Sequence, residues 1–141
     1  MGDALSKKLK RMVIARARNC CEYCLSQEQF APTTFSIEHI TPRTVGGIST
    51  AENLALACQE CNNHKYTKTE ALDFTSGEVV PLYHPRRHHW SEHFIWSDDF
   101  TYIEGISAIG RATVAALHLN RAGVVNLRRI LFEAGNHPPS T

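Results

Sequence analysis

The sequence predicts an α+β fold in which short strands and helices gather around a bound metal ion, with no single large sheet. Three observations predict it. Two Cys-x2-Cys pairs, Cys21/Cys24 and Cys58/Cys61, stand 33 residues apart. Alternating, strand-like runs lie between the pairs, and helical periodicity marks both ends of the chain. At 141 residues the chain is long enough for one core and too short for two. A single domain, 1–141, is therefore expected, with a core over about 10–75 and a C-terminal extension over about 76–135.

Residues Ser6 to Arg18 read as an N-terminal helix: Ser6 is a candidate N-cap, Leu9, Val13 and Ala17 recur every four residues, and no Gly or Pro interrupts. Six of residues 7–18 are basic and none is acidic, a face suited either to a nucleic-acid backbone or to solvent. Thr34 to Ile40 alternates like a strand, closed by Pro42 and Gly46-Gly47, and Asn53 to Ala57 is a second strand. Asn62 to Thr69 has no breaker and suits a helix. Ser76-Gly77, Pro81 and Pro85 then mark loops. Phe94 to Trp96 and Phe100 to Ile103, joined through Ser97-Asp98-Asp99, suit a hairpin. Two helices close the chain, capped by Ser107 and Asn120, the second burying Val124, Leu127 and Leu131, and a frayed tail follows from His137.

A two-residue gap lets both thiolates of a pair face one ion, so Cys21, Cys24, Cys58 and Cys61 are expected to hold Zn²⁺ tetrahedrally. Four thiolates close the coordination shell. This zinc is therefore structural, without an open position for chemistry. The fifth thiol, Cys20, would stretch the first pair to x3 and is left out as an ordinary small side chain.

Hydrophobic residues at 43% and charged residues at 21% exclude wholesale disorder. The N-terminus has no uninterrupted apolar stretch and nothing later reaches a membrane span, so a soluble, cytoplasmic protein without a membrane partner is expected. Net charge is only +1, but it is divided unevenly: +3 over residues 1–68 and −2 over residues 69–141. The first half is the better candidate for binding an anionic polymer.

Between the cysteine pairs lies Ser36-Ile37-Glu38-His39-Ile40-x-Pro42-Arg43-x-x-Gly46-Gly47, then Asn53-Leu54, and directly after the second pair Asn62-x-x-Lys65. This order resembles the HNH endonuclease family, whose motif is often framed by two such knuckles. The segments Pro81 to Arg87, Trp90-x-x-His93-Phe and Gly110-Arg-Ala-Thr are similar to the extension of a bacterial HNH subgroup. The resemblance implies a ββα-metal core with structural zinc knuckles, the N-terminal helix in front and the hairpin plus two-helix extension behind. It also implies a metal-dependent endonuclease acting on DNA, with RNA as a possible substrate.

The chemistry accounts for the residue types. A neutral imidazole is the side chain best suited to take a proton from an attacking water near neutral pH, and that role falls to His39. A hard divalent cation offsets charge building on the phosphate, with Glu38 and Asn62 as oxygen ligands and Mg²⁺ or Mn²⁺ as the expected ion. Asn53, by resemblance, braces the loop and orients the His39 segment. Glu38 stands where the family frequently has Asp or His, and Asn62 where many members have His; His64 is a competing third ligand. Strand alternation sends Glu38 and His39 to opposite sides, so a local twist is required if both are to reach one phosphate. Arg43, Lys65 and Lys68 are candidate phosphate contacts. His84, His88, His89 and His93 are too irregularly spaced for a second metal site, and packing or phosphate contacts suit them better. The principal alternative is a non-catalytic zinc-ribbon module that binds nucleic acid.

Overall fold

The computed structural model describes residues 5–140. Helix α1, Lys7–Arg16, is capped as expected, with Ser6 Oγ accepting from the Leu9 N–H at 3.1 Å. It ends two residues early, because Arg18 and Asn19 take positive φ. Its apolar stripe docks the fully buried Val13 on Leu54 and Leu56, with Leu9, Met12 and Ala17 around it. Arg16 is part of this dock, donating to the Ala51 carbonyl at 3.0 Å and to that of Leu54 at 2.8 Å.

Strands β1, Ser36–His39, and β2, Leu54–Ala57, pair antiparallel, with Ser36 opposite Ala57 and His39 opposite Leu54. Every β2 position is buried. Period-two alternation turns Leu54 and Leu56 toward α1 and leaves Ala55 and Ala57 for the other face. On that other face lies α2, Gln59–Lys65. It starts three residues before the expected Asn62, because Cys58 is at once a knuckle cysteine and the N-cap, its Sγ accepting from the Cys61 N–H at 3.4 Å. It stops before Thr69, because Tyr66 takes a positive φ of 48°.

A hairpin not expected from the sequence follows: β3, Glu70–Asp73, pairs with β4, Glu78–Pro81. Buried Asp73 organises its turn by accepting the Thr75 and Ser76 N–H groups, each at 3.2 Å. Short α3, Trp90–His93, leads to β5, Phe94–Trp96, paired with β6, Ile103–Gly105. The second strand therefore begins at Ile103 and not Phe100. Asp99 holds residues 97–101 in a wider turn through Ser97 Oγ, Thr101 N and Thr101 Oγ1.

Helices α4, Ala108–Leu117, and α5, Ala122–Glu133, complete the fold. Ser107 caps α4 by accepting from the Gly110 N–H at 2.9 Å. Asn120 does not cap α5. Its amide spans both backbone groups of Ile103, at 2.7 and 2.8 Å, and so ties the helix connection to β6. His137 is buried rather than frayed, bonded to the Phe100 carbonyl at 2.8 Å and packed edge-on against Trp96. The main core joins the four cysteines, Tyr23 and Ala57 to Leu82, Tyr83, Phe94, Ile103, Leu117 and Leu119, so the extension and the knuckles share one interior. No described helix is long and apolar enough to cross a membrane.

Candidate active site and metal centre

Cys21, Cys24, Cys58 and Cys61 converge from the loop after α1 and from the start of α2, all buried, with their sulfur atoms within 4.8 Å of one another. Cys24 and Cys58 stand 3.7 Å apart at sulfur. Tetrahedral thiolates at about 2.3 Å from Zn²⁺ lie about 3.8 Å from each other, whereas a disulfide requires about 2.05 Å. The donor set fits zinc. Cys20 stays outside it, buried, with its thiol on the Arg18 carbonyl.

The extension supplies a feature that cysteine spacing does not reveal. Arg121, at the head of α5, reaches the cluster with its guanidinium 3.3 Å from Cys58 Sγ, 3.6 Å from Cys61 Sγ and 3.9 Å from Cys24 Sγ, while Glu60 holds Nε at 2.6 Å. A four-thiolate zinc carries two negative charges, and this cation offsets part of them. Arg128, two turns further along α5 on the same side, is buried and donates to the carbonyls of Thr101 and Leu119.

The first knuckle also grips the hairpin. Glu22 pairs with both backbone groups of Leu56 on β2, one through its own N–H and one through its carboxylate, each at 2.9 Å. Arg86 from the extension closes an ion pair on the same carboxylate.

His39 ends β1 half-buried, its Nε2 2.8 Å from Ser49 Oγ. Asn53 pins the intervening loop from within. Its Oδ1 accepts the Thr41 N–H at 2.8 Å, and its Nδ2 donates to the carbonyls of Thr41 at 3.0 Å and Ile48 at 2.9 Å. The two glycines serve this clamp differently. Gly46 has φ of 96°, a left-handed residue ending the turn Arg43–Val45. At Gly47 a Cβ would lie 1.7 Å from the Thr41 carbonyl oxygen and 2.9 Å from Asn53 Nδ2, so no side chain fits.

Alternation separates Glu38 from His39, as the strand requires. Ser36 and Glu38 face α2, where Gln59 donates to Ser36 Oγ at 2.7 Å and Lys65 lies 4.0 Å from Glu38 Oε2. Tyr23 donates to that same oxygen at 2.5 Å. Glu38 Oε1 takes no hydrogen bond among the described residues. Burial pushes the Glu38 carboxyl up to about 7, against the opposing pull of Lys65 and Tyr23. Asn62 sits between Gln59 and Lys65 at three-residue spacing and therefore on the β1-facing side of α2. It is half-buried, and its amide takes no hydrogen bond among the described residues. Glu38 Oε1 and Asn62 thus offer oxygen donors from facing elements, as a hard divalent ion requires.

Residues 21–68 match the family model described as HNH endonuclease. This segment is an HNH domain. Neither the curated proteins nor the solved structures returned a match to the chain. The HNH match begins at Cys21 and ends at Lys68, so it covers the knuckles, the hairpin and α2 and leaves out α1 and the extension.

Within the HNH domain, the residues expected to touch phosphate separate. Arg43 is exposed on the clamped loop. Lys68 is exposed and donates to the His64 carbonyl at 2.8 Å. Lys65 corrects the expectation: only 1% exposed, it donates to the Ile40 carbonyl at 2.7 Å and faces Glu38, so it is an interior counter-charge and cannot bind a phosphate. His64 turns away from β1 and stacks on His118 at 4.2 Å between ring centroids, which removes it as a third ligand. The contacts of Ser49, Tyr23 and Arg121 go beyond what the motif names. Ser49 was accessible in principle, since it follows the Gly-Gly turn that returns the loop to His39; Tyr23 and Arg121 carry no spacing signal.

Proposed function

We propose that the protein is a metal-dependent endonuclease that hydrolyses phosphodiester bonds of DNA at His39. The observation that supports it best is the clamped loop of the HNH domain. Asn53, Gly47 and Ser49 together hold the imidazole at the open end of β1, while Glu38 and Asn62 offer oxygen from the neighbouring face. His39 accepts the proton of the attacking water, its ring orientation set by Ser49. Asn53 acts through the backbone of Thr41, two residues on, as a positioning residue. Tyr23 and Lys65 fix the Glu38 carboxylate through Oε2 and leave Oε1 for a ligand. Glu38 and Asn62 would hold a divalent ion there, Mg²⁺ or Mn²⁺, which when bound would neutralise charge at the scissile phosphate. Zinc on the cysteines would join the loop after α1 to the junction of β2 with α2, and would contribute to folding rather than to the reaction.

The test is cleavage of supercoiled plasmid by purified protein. Nicking is expected with Mg²⁺ or Mn²⁺, lost when the ion is withdrawn and restored when it is returned. Salt-sensitive DNA binding without any cutting would instead establish a zinc-ribbon binding module.

A further inference from the structure

The His-rich turn of the extension abuts the HNH site. A cleft of about 210 Å³ opens between Thr41, just beyond His39, and residues 84–88, with Lys65 in its floor and Tyr83, His84, Arg87 and His88 in its wall; its lining holds no carboxylate. The turn is knotted by its own imidazoles. His84 Nδ1 accepts the N–H groups of Arg86 at 3.2 Å and Arg87 at 3.3 Å, and His88 Nδ1 accepts that of His84 at 3.0 Å. An imidazole whose Nδ1 is an acceptor carries its hydrogen on Nε2, so each ring presents a fixed donor. Neither Nε2 has a partner among the described residues. Burial lowers both rings, His84 to about 4, so they are neutral donors at neutral pH. Arg87 adds an exposed guanidinium. The ion pair of Arg86 with Glu22 fastens the turn to the first knuckle, and so holds it at a fixed place beside the site.

Donors without acceptors, the exposed Arg87 cation in the same turn and a rigid mount describe a receptor for an oxyanion. We propose that the 84–88 turn binds a backbone phosphate flanking the one cleaved at His39, with Arg87 as its charge contact and His84 and His88 as neutral donors. This rests on the nuclease reading above. It also gives the acidic second half of the chain a part in substrate binding, through one local cluster rather than net charge.

The probe is a fluorescein-labelled DNA duplex titrated with His39→Ala protein from about 50 to about 200 mM KCl, read by anisotropy. Loss of one phosphate contact lowers the slope of log affinity against log salt by about 0.9. Arg87→Ala is expected to lower it by that amount, and Arg87→Lys to retain it. Arg129→Ala, which removes the same charge from an exposed site on α5, is expected to leave it unchanged. An unchanged slope in Arg87→Ala, an equal fall in Arg129→Ala, or no salt-dependent binding at all overturns the proposal. Wild-type cleavage measured alongside separates the two readings. Cutting with an unaltered Arg87→Ala slope removes only the subsite, while a lowered slope without cutting keeps the anion site and removes the nuclease.

Discussion

Replacing Lys65 by Met tests whether this lysine belongs to the interior. Lys65 is 1% exposed and Glu38 6%, and the ammonium satisfies both the Ile40 carbonyl at 2.7 Å and the carboxylate at 4.0 Å. Methionine keeps the volume but leaves a buried carbonyl without its donor and a buried carboxylate without its counter-charge. Removing one partner of a buried pair costs about 3–5 kcal/mol. Protonation of Glu38 limits this toward the lower figure near neutral pH, because burial already pushes its carboxyl up to about 7. At roughly 3 °C of melting temperature per kcal/mol for a chain of this size, a fall of about 10 °C is expected. The double variant Glu38→Gln/Lys65→Met removes the orphaned charge and is expected to recover about 1–2 kcal/mol, a coupling energy typical of residues in contact. Urea unfolding of the zinc-loaded single and double variants measures both quantities. A Lys65→Met protein within about 0.5 kcal/mol of wild type, with a weakened salt dependence of DNA binding, would refute the reasoning and return Lys65 to the surface as a phosphate contact.

Gly47→Ala forces the Thr41 carbonyl or the whole loop to move, since the new Cβ would overlap that oxygen. A displacement near 1 Å at the imidazole costs about 100-fold in kcat, measured by plasmid nicking, while the zinc content is expected to remain unchanged. Arg121→Ala removes the cation touching three cysteine sulfurs, and zinc affinity, followed by competition with a chromogenic chelator, is expected to fall about 10- to 100-fold. Asp73 is fully buried and receives Arg111 through Nε at 3.0 Å and a terminal nitrogen at 2.9 Å. The hydrogen bonds from Arg111 and Ser76 hold its carboxyl well below the usual carboxylate range, so its stabilisation is complete above the unfolded value near 4 and is lost as pH falls through the lower folded value. Asp73→Asn is therefore expected to lower the melting temperature at neutral pH, with the deficit shrinking in acid.

The parts of this fold legible in the sequence were those with a local cause. Ser6 and Ser107 announce their helices because an N-cap is a contact over three residues, and the cysteine pairs announce the metal because the ligand geometry is written in their spacing. The β1–β2 hairpin was legible from alternation and from the Gly-Gly turn. What stayed hidden was set by tertiary partners. Lys65 looks like any helix-surface lysine until β1 covers it, and Asn120 looks like a cap until β6 arrives to claim both its amide atoms. The β3–β4 hairpin escaped because its strands are only four residues long and largely exposed, so they carry little alternation to read. His137 reads as a tail residue because nothing local predicts a ring partner some 40 positions upstream, Trp96, that meets it edge-on. In the candidate site, the motif is what names Glu38, His39, Asn53 and Asn62, whereas the contacts of Glu38 with Tyr23 and of His39 with Ser49 depend on how distant segments meet.

The most direct measurement of the central claim compares wild-type and His39→Ala protein in Mg²⁺-dependent plasmid cleavage, with far-ultraviolet circular dichroism and zinc stoichiometry recorded on the same samples. Loss of a general base costs about 10²- to 10⁴-fold in rate. The expected result is a loss in that range with spectrum and zinc content unchanged. Undiminished Mg²⁺-dependent cutting by a correctly folded His39→Ala protein would contradict the account and move the chemistry away from the end of β1.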